Sequence, residues 1–335
     1  MQITFSIVVP VYNRPDEVAE LLESISKQTF QEDVEVVIVE DGSTLPAKDV
    51  VAPYTDSLNI SYYFKPNSGP GDSRNYGMKR AKGNYYLIFD SDCILPPQYL
   101  SEVSKALENK YVDCFGGPDA AHSSFTDIQK AISYAMTSLL TTGGIRGRKK
   151  AVNKFQPRSF NMGISKAAFE ATQGFGQIHP GEDPDLTIRI WNAGYETLLI
   201  PEAYVYHKRR ISWKKFYIQV NKFGMVRPIL NSWHPETAKL TYWFPTLFCV
   251  GLLVSIVLSI FFVFHWFLIG YAVYFSILLL DAFRTTKSVK IAILSIIAVC
   301  IQFYGYGVGF LKSTIALKLF KQKPEECFPK LFFKK

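Results

Sequence analysis

Up to about Pro235 the chain alternates short apolar runs with amphipathic stretches; from Tyr242 to Phe310 it is almost continuously apolar. Phe5-Ser6-Ile7-Val8-Val9, Val34 to Val39, Ile60 to Phe64 and Tyr85-Tyr86-Leu87-Ile88-Phe89 are rich in β-branched and aromatic residues, the pattern of strands buried on both faces. Asn13-Arg14-Pro15-Asp16 opens a helix with Pro15 in its first turn, and Val18, Leu21, Leu22 and Ile25 give it one apolar stripe. Pro66 to Gly71 is turn-rich, and a helix from Asp72 to about Ala81 follows. This β-α-β alternation predicts an α/β fold with a mostly parallel sheet covered on both faces.

The apolar region divides into about Phe244 to Phe264, Trp266 to Phe283 and Val289 to Phe310. Each approaches the ~20 residues that cross a bilayer. Only His265 separates the first two, which implies a tight hairpin, and Tyr242, Trp243 and Trp266 suit interface anchors. Gly305, Gly307 and Gly309 interrupt the third and would permit a re-entrant turn. Before these segments, Trp213, Phe216, Tyr217, Val220 and Phe223 recur at helical spacing among Lys214, Lys215, Lys222 and Arg227, as in a helix lying at a membrane interface.

The formal charge of +8 does not point to nucleic acid, because Lys and Arg gather beside the apolar segments, as lipid headgroups and a positive-inside topology require. The basic loop Arg284 to Lys290 is expected inside, and so is the basic stretch after Leu311. Met1 to Thr4 lacks the basic region of a secretory signal. The five cysteines are scattered without metal spacing and read as reduced thiols. Gly143 to Lys154, with Arg146, Arg148, Lys149 and Lys150 among its glycines, reads as a mobile loop.

Asp90-Ser91-Asp92 carries the sharpest chemistry. It closes the fourth apolar run, and residues i and i+2 of an extended backbone face the same way. Ligands of open α/β sheets bind beyond the carboxyl ends of strands. Paired carboxylates there suit Mg²⁺ or Mn²⁺, hard cations that also bind phosphate, so the motif implies a metal that holds a nucleotide diphosphate. Asp41 can accept from a base N–H or a ribose hydroxyl, although Asp-Gly-Ser is also plain turn chemistry. Gly69 and Gly71 permit close approach of backbone to ligand. Glu182 and Asp183 suit either a base for an attacking hydroxyl or the acidic start of a helix Asp185 to Asn192, with Asp185 the better cap. His122, His179, His207 and His234 share no metal spacing, and His207 beside Lys208, Arg209 and Arg210 reads as a surface residue.

Taken in order, these landmarks resemble the family 2 glycosyltransferases, over about Ser6 to Pro228. The likeness rests on Val9-Pro10-Val11-Tyr12-Asn13-Arg14, Glu40-Asp41-Gly42-Ser43, Asn67 to Asn75, Asp90-Ser91-Asp92 and Gly181-Glu182-Asp183-Pro184-Asp185-Leu186. It implies a GT-A, Rossmann-like catalytic domain over 1–210. Residues 211–241 then form an amphipathic interface helix and linker, 242–311 a transmembrane region with two or three apolar segments, and 312–335 a basic tail. It implies nucleotide contacts at Pro10, Tyr12, Asn13, Arg14, Asp41, Asn67, Gly69, Arg74 and Asp90, and metal contacts at Asp92 and Asp90. Asp183 becomes the catalytic base, and Glu182 orients the acceptor. Asn161, Met162 and Gly163 match the segment at the donor–acceptor junction, and Lys222 or Arg227 is placed for the diphosphate. The Gln-x-x-Arg-Trp signature of processive relatives is missing.

The expected activity is inverting, metal-dependent transfer of a sugar, from a UDP-sugar first of all, to a hydroxyl of a lipid-linked saccharide in surface polysaccharide assembly. The enzyme would be a multi-pass cell-membrane protein with its catalytic domain facing the cytoplasm. A polyprenyl-phosphate glycosyltransferase would need no base, which the Glu182-Asp183 pair argues against. A non-catalytic membrane binding protein on this fold is disfavoured by the intact Asp41, Asp90, Asp92 and Asp183.

Overall fold

The computed structural model describes residues 2–120, 125–142, 155–207 and 212–333. The expected loop 143–154, and Lys208, Arg209 and Arg210, lie outside them. The chain forms two compact units. One holds the described residues of Met1–His122, Arg148–Lys208 and Phe332–Lys335, the other those of Ser123–Gly147 and Arg209–Leu331.

The first unit contains β1 (Phe5–Val11), β2 (Glu35–Asp41), β3 (Asn59–Lys65), β4 (Tyr85–Phe89), β5 (Cys93–Ile94), β6 (Cys114–Gly116), β7 (Asp119–Ala120), β8 (Asn161–Ser165), β9 (Thr197–Leu199) and β10 (Val205–His207). The main sheet runs β3-β2-β1-β4-β8-β6-β9, and a small sheet runs β5-β10-β7. The four apolar runs are its four adjacent parallel strands; β8 alone runs antiparallel, to both β4 and β6. Period-two alternation divides the strands between two cores. Ile7, Val9, Ile38, Leu87 and Phe89 pack with Val18, Leu21, Leu22 and Ile25 of the helix Pro15–Ser26. Val8, Val37, Val39 and Ile88 pack on the other face with Leu186 and Ile190 of the helix Glu182–Asn192. Strand order reverses between β1 and β4, so their carboxyl ends flank the crevice where open sheets bind ligands. The helix expected from Asp72 to Ala81 spans Pro70–Met78 instead, because Gly69 at φ +96° turns the chain and Pro70 starts the first turn.

The second unit is helical. Leu240–Phe262, Trp266–Thr286 and Val289–Leu319 are long and apolar enough to cross a membrane. The third runs unbroken through its glycines from Val289 to Thr314, so the expected re-entrant turn is absent. The glycines serve close packing. A Cβ on Gly305 would lie 2.7 Å from Val220, and one on Gly309 2.3 Å from the Asn221 carbonyl. Asn221 Nδ2 donates to the Gly305 carbonyl at 2.9 Å. The helix expected at the interface spans Trp213–Trp233, and its Phe216 and Val220 are buried against Val299 and Phe303 of the third span. The helix Asp127–Thr137, which falls within 1–210, belongs to this unit: Tyr134 Oη donates to Asp281 at 2.6 Å, and Lys290 pairs with Asp127 at 2.8 Å.

Candidate active site

One end of the crevice in the first unit is built on Asp41, the last residue of β2. Its carboxylate is buried and accepts from Lys65 Nζ at 2.6 Å, Ser68 N at 2.9 Å, Gly69 N at 2.9 Å and Asn67 Nδ2 at 3.2 Å. The β2–β3 ladder forces the Lys65 contact, because it registers Asp41 opposite Lys65. Four donors fill both oxygens. Asp41 therefore holds the Pro66–Gly69 loop in shape, and a base N–H would have to displace one of these donors. After β1, Asn13 sits at φ +55° and accepts on Oδ1 from Thr44 N and Leu45 N at 2.8 and 2.9 Å. Tyr12 is exposed, and Arg14 pairs with Glu17 at 3.7 Å.

The other end is built on Arg74, one turn into the helix Pro70–Met78. Expected as a nucleotide contact, it is buried at 3% exposure, where two acids claim it. Nη2 donates to Asp90 Oδ1 at 2.6 Å, and Nη1 donates to Glu182 Oε1 at 3.3 Å. One guanidinium thus joins the Asp-x-Asp motif after β4 to the Glu-Asp pair that opens the helix Glu182–Asn192. His179 Nδ1 lies 2.8 Å from the same Glu182 oxygen. Burial disfavours charge on Arg74, but Asp90, Glu182 and Asp183 hold its pKa above the ordinary value. Burial likewise opposes ionisation of Glu182, yet His179 and Arg74 push its pKa down. Asp183 goes the other way: burial and the charge of Glu182 push it up to about 6. Its Oδ1 is buried with no hydrogen-bond partner among the described residues, and neither has Arg74 Nε. The N-cap position is Gly181, which has no side chain to cap with, and Asp185 binds Arg189 at 2.7 Å.

Asp92 follows Asp90 and meets a residue from the small sheet. His207, the last residue of β10, pairs with β5 opposite Cys93, which brings its Nε2 to 3.2 Å from Asp92 Oδ1 and its Nδ1 to 3.7 Å from Asp119 Oδ2. Phe160 stacks on the imidazole with ring centroids 4.6 Å apart. Burial would lower the His207 pKa, but the charge of Asp92 and the contacts with both aspartates push it up to about 10. Donor atoms of Asp92, Cys93 and His207 lie within 4.8 Å of one another. The sequence reads His207 as a surface residue; the structure half-buries it beside Asp92. Asn161, Met162 and Gly163, expected at the donor–acceptor junction, lie close by. They form β8 in the core, where Asn161 binds Tyr99 Oη and the Ala203 carbonyl at 2.6 and 2.8 Å. Pairing with β4 and β6 turns these side chains inward, and the neighbouring Phe160 reaches His207. Lys222 and Arg227 lie in the other unit, where Arg227 sits over the Tyr242 ring at 4.6 Å.

A glycosyl transferase family 2 model matches residues 6–172, from β1 past the Asp90-Ser91-Asp92 turn to β8 and the short helix after it. Through these residues the chain belongs to the family 2 glycosyltransferases. This glycosyltransferase is 35% identical over 112 residues to the poly(ribitol-phosphate) beta-N-acetylglucosaminyltransferase TarS of Staphylococcus aureus, 32% of this chain and 20% of that protein. It is 36% identical over 104 residues to the validoxylamine A glucosyltransferase of Streptomyces hygroscopicus subsp. jinggangensis, 30% of this chain and 25% of that protein. The matched stretch is thus a quarter or less of either relative. The fold is shared with S. aureus TarS 1-349 in complex with UDP, at TM-score 0.50 and 18% identity over 92% of this chain and 91% of that one. It is shared also with the mannosyltransferase PcManGT of Pyrobaculum calidifontis in complex with GDP-Man and Mn²⁺, at TM-score 0.57 and 16% identity over 96% and 89%. Both likenesses agree with the GT-A architecture that the motifs imply.

Three residues of this site escape a reading by motif: Lys65, His179 and His207. Each sits there through pairing or helix geometry rather than within a recognisable pattern. The one available signal was their side-chain chemistry close to a motif in sequence: Lys65 before the Asn67 loop, and His179 three residues before Glu182.

Proposed function

We propose that this glycosyltransferase is metal-dependent and inverting, and moves a sugar from a UDP-sugar to a hydroxyl of a lipid-linked saccharide in surface polysaccharide assembly. The observation that carries the reading is the buried Arg74, whose single guanidinium binds Asp90 on the donor side and Glu182 on the acceptor side. Donor and acceptor chemistry then share one electrostatic unit. Asp183, raised to about 6, is a base poised near neutral pH. It takes the proton from the acceptor hydroxyl as that oxygen attacks the anomeric carbon. The bond from that carbon to the phosphate oxygen breaks on the opposite face, which inverts the centre, and the diphosphate leaves. Glu182, held ionised by His179 and Arg74, accepts from a second acceptor hydroxyl.

The residues present fit a divalent metal. Asp92 offers a hard oxygen and His207 a borderline nitrogen close by, a pair suited to Mn²⁺, and the sequence motif adds the Asp90 carboxylate. Cys93 does not belong to the set, because burial holds its thiol protonated and Sγ donates to the Phe160 carbonyl at 3.3 Å. A bound cation would neutralise the departing diphosphate; His207 must shed its proton to join it. The named relative that acts on poly(ribitol-phosphate) and the structures solved with UDP or with GDP-Man and Mn²⁺ support a nucleotide-sugar donor and a polymeric acceptor. Three candidate spans support membrane association. We assign a multi-pass arrangement with the active unit on the cytoplasmic side, where nucleotide sugars are, and the basic Arg284–Lys290 loop on the same side.

The test is turnover of the full chain in detergent or vesicles with a panel of UDP-, GDP- and dTDP-sugars. Lipid-linked saccharide and bare polyprenyl phosphate serve as alternative acceptors. Transfer to the saccharide that needs Mn²⁺ or Mg²⁺ and is lost with Asp92→Asn is expected. Full activity in excess EDTA would remove the metal from the mechanism, and transfer to polyprenyl phosphate alone would reassign the acceptor.

A further inference from the structure

Phe332 and Phe333 lie far along the chain from every motif of the family, yet they dock on the first unit at the site. Phe332 forms an antiparallel bridge with Ile178, and Phe333 N donates to the Gln177 carbonyl at 3.1 Å. These main-chain contacts fix the place of the Phe333 ring. On one side it lies against Gly69: a Cβ there would stand 2.3 Å from the ring. Gly69 is the residue whose N–H is held by Asp41, so the ring touches the loop assigned to the nucleoside. On the other side the ring meets His179, with centroids 5.9 Å apart at 53°, and His179 holds Glu182. Phe333 is only half-buried, so part of the ring remains uncovered.

We propose that Phe333 is a wall of the nucleoside subsite, stacking on the base or ribose of the nucleoside diphosphate donor. It is thereby a specificity-determining residue of this glycosyltransferase. The ring lies against Gly69, in the loop that Asp41 holds, which places it at the nucleoside loop. Glycine at 69 is required twice, once by its φ of +96° and once because any side chain would expel the ring. A flat apolar face beside a loop rich in hydrogen-bonding groups is the environment in which bases stack.

This inference rests on the donor reading above, and its test separates the two. UDP with Mn²⁺ is titrated into the full-length wild type and into Phe333→Ala, Phe333→Leu and Phe333→Tyr, with transfer kinetics alongside. Wild type is expected to bind UDP. Phe333→Ala is expected to weaken UDP binding and raise the donor KM about 10-fold, the size of one stacking contact, with kcat nearly unchanged. Leu should recover little, because it fills space without a flat face, and Tyr should restore wild-type affinity. If wild type binds UDP and all variants bind it equally, the wall is overturned. Tighter binding by Phe333→Ala would also overturn it, since the ring would then obstruct the subsite. Failure of wild type itself to bind any nucleoside diphosphate would strike the donor reading instead.

Discussion

The two ends of the crevice handle charge in opposite ways. At the nucleoside end, Asp41 is filled by Lys65, Asn67, Ser68 and Gly69, and Lys65 also reaches Asp72 at 3.3 Å. At the reaction end, two acids share one buried guanidinium, Asp183 beside them keeps an unmet buried oxygen, and its pKa rises. Buried polar atoms are ordinarily paired, and an unpaired one marks a place where a ligand is expected. The difference teaches where each end puts its binding capacity. On the proposed reading, the nucleoside end is built before a donor arrives, whereas the reaction end withholds polar capacity for the reacting groups.

Three perturbations separate the two ends. The largest effect should come from Asp183→Asn, which keeps the shape and removes the basic lone pair. We expect kcat to fall about 10²- to 10⁴-fold while UDP affinity holds, measured by single-turnover transfer and UDP titration. A smaller loss should follow Lys65→Met, which leaves the buried Asp41 unneutralised. Breaking a buried pair from one side costs about 3 kcal/mol, so thermal unfolding should shift down and UDP binding should weaken with kcat at saturation retained. Adding Asp41→Asn should return part of the stability, because the pair is then removed from both sides. Smallest is the pH response. Asp183 must be deprotonated to act, and its raised pKa means that the active form is lost as pH falls through about 6. In that limb kcat/KM should drop about tenfold per pH unit, and the limb should vanish in Asp183→Asn.

Much of the crevice was legible in sequence, because strands and turns obey local rules. The four apolar runs became four adjacent strands, and Asp90 and Asp92 emerged after β4 where alternation and the α/β rule put them. The partners were not legible. Lys65 meets Asp41 through strand register, Arg74 meets Glu182 across 108 residues, and His207 reaches Asp92 through a three-stranded sheet too short to leave a periodic signal. The same limit applied to the glycines of the third span. Their spacing shows a weak point in a helix, but only the opposing Val220 and Asn221 reveal close packing. The helix Asp127–Thr137 shows an ordinary amphipathic pattern, and nothing local says that its buried face belongs with the second unit.

The central claim is that binding and chemistry are separately housed in this crevice. It is tested most directly by measuring UDP affinity with Mn²⁺ and kcat at saturating donor for Asp183→Asn and Lys65→Met side by side. The account predicts a crossed result: Asp183→Asn loses turnover and keeps affinity, and Lys65→Met loses affinity and keeps turnover. Equal losses of both quantities in both variants would contradict it.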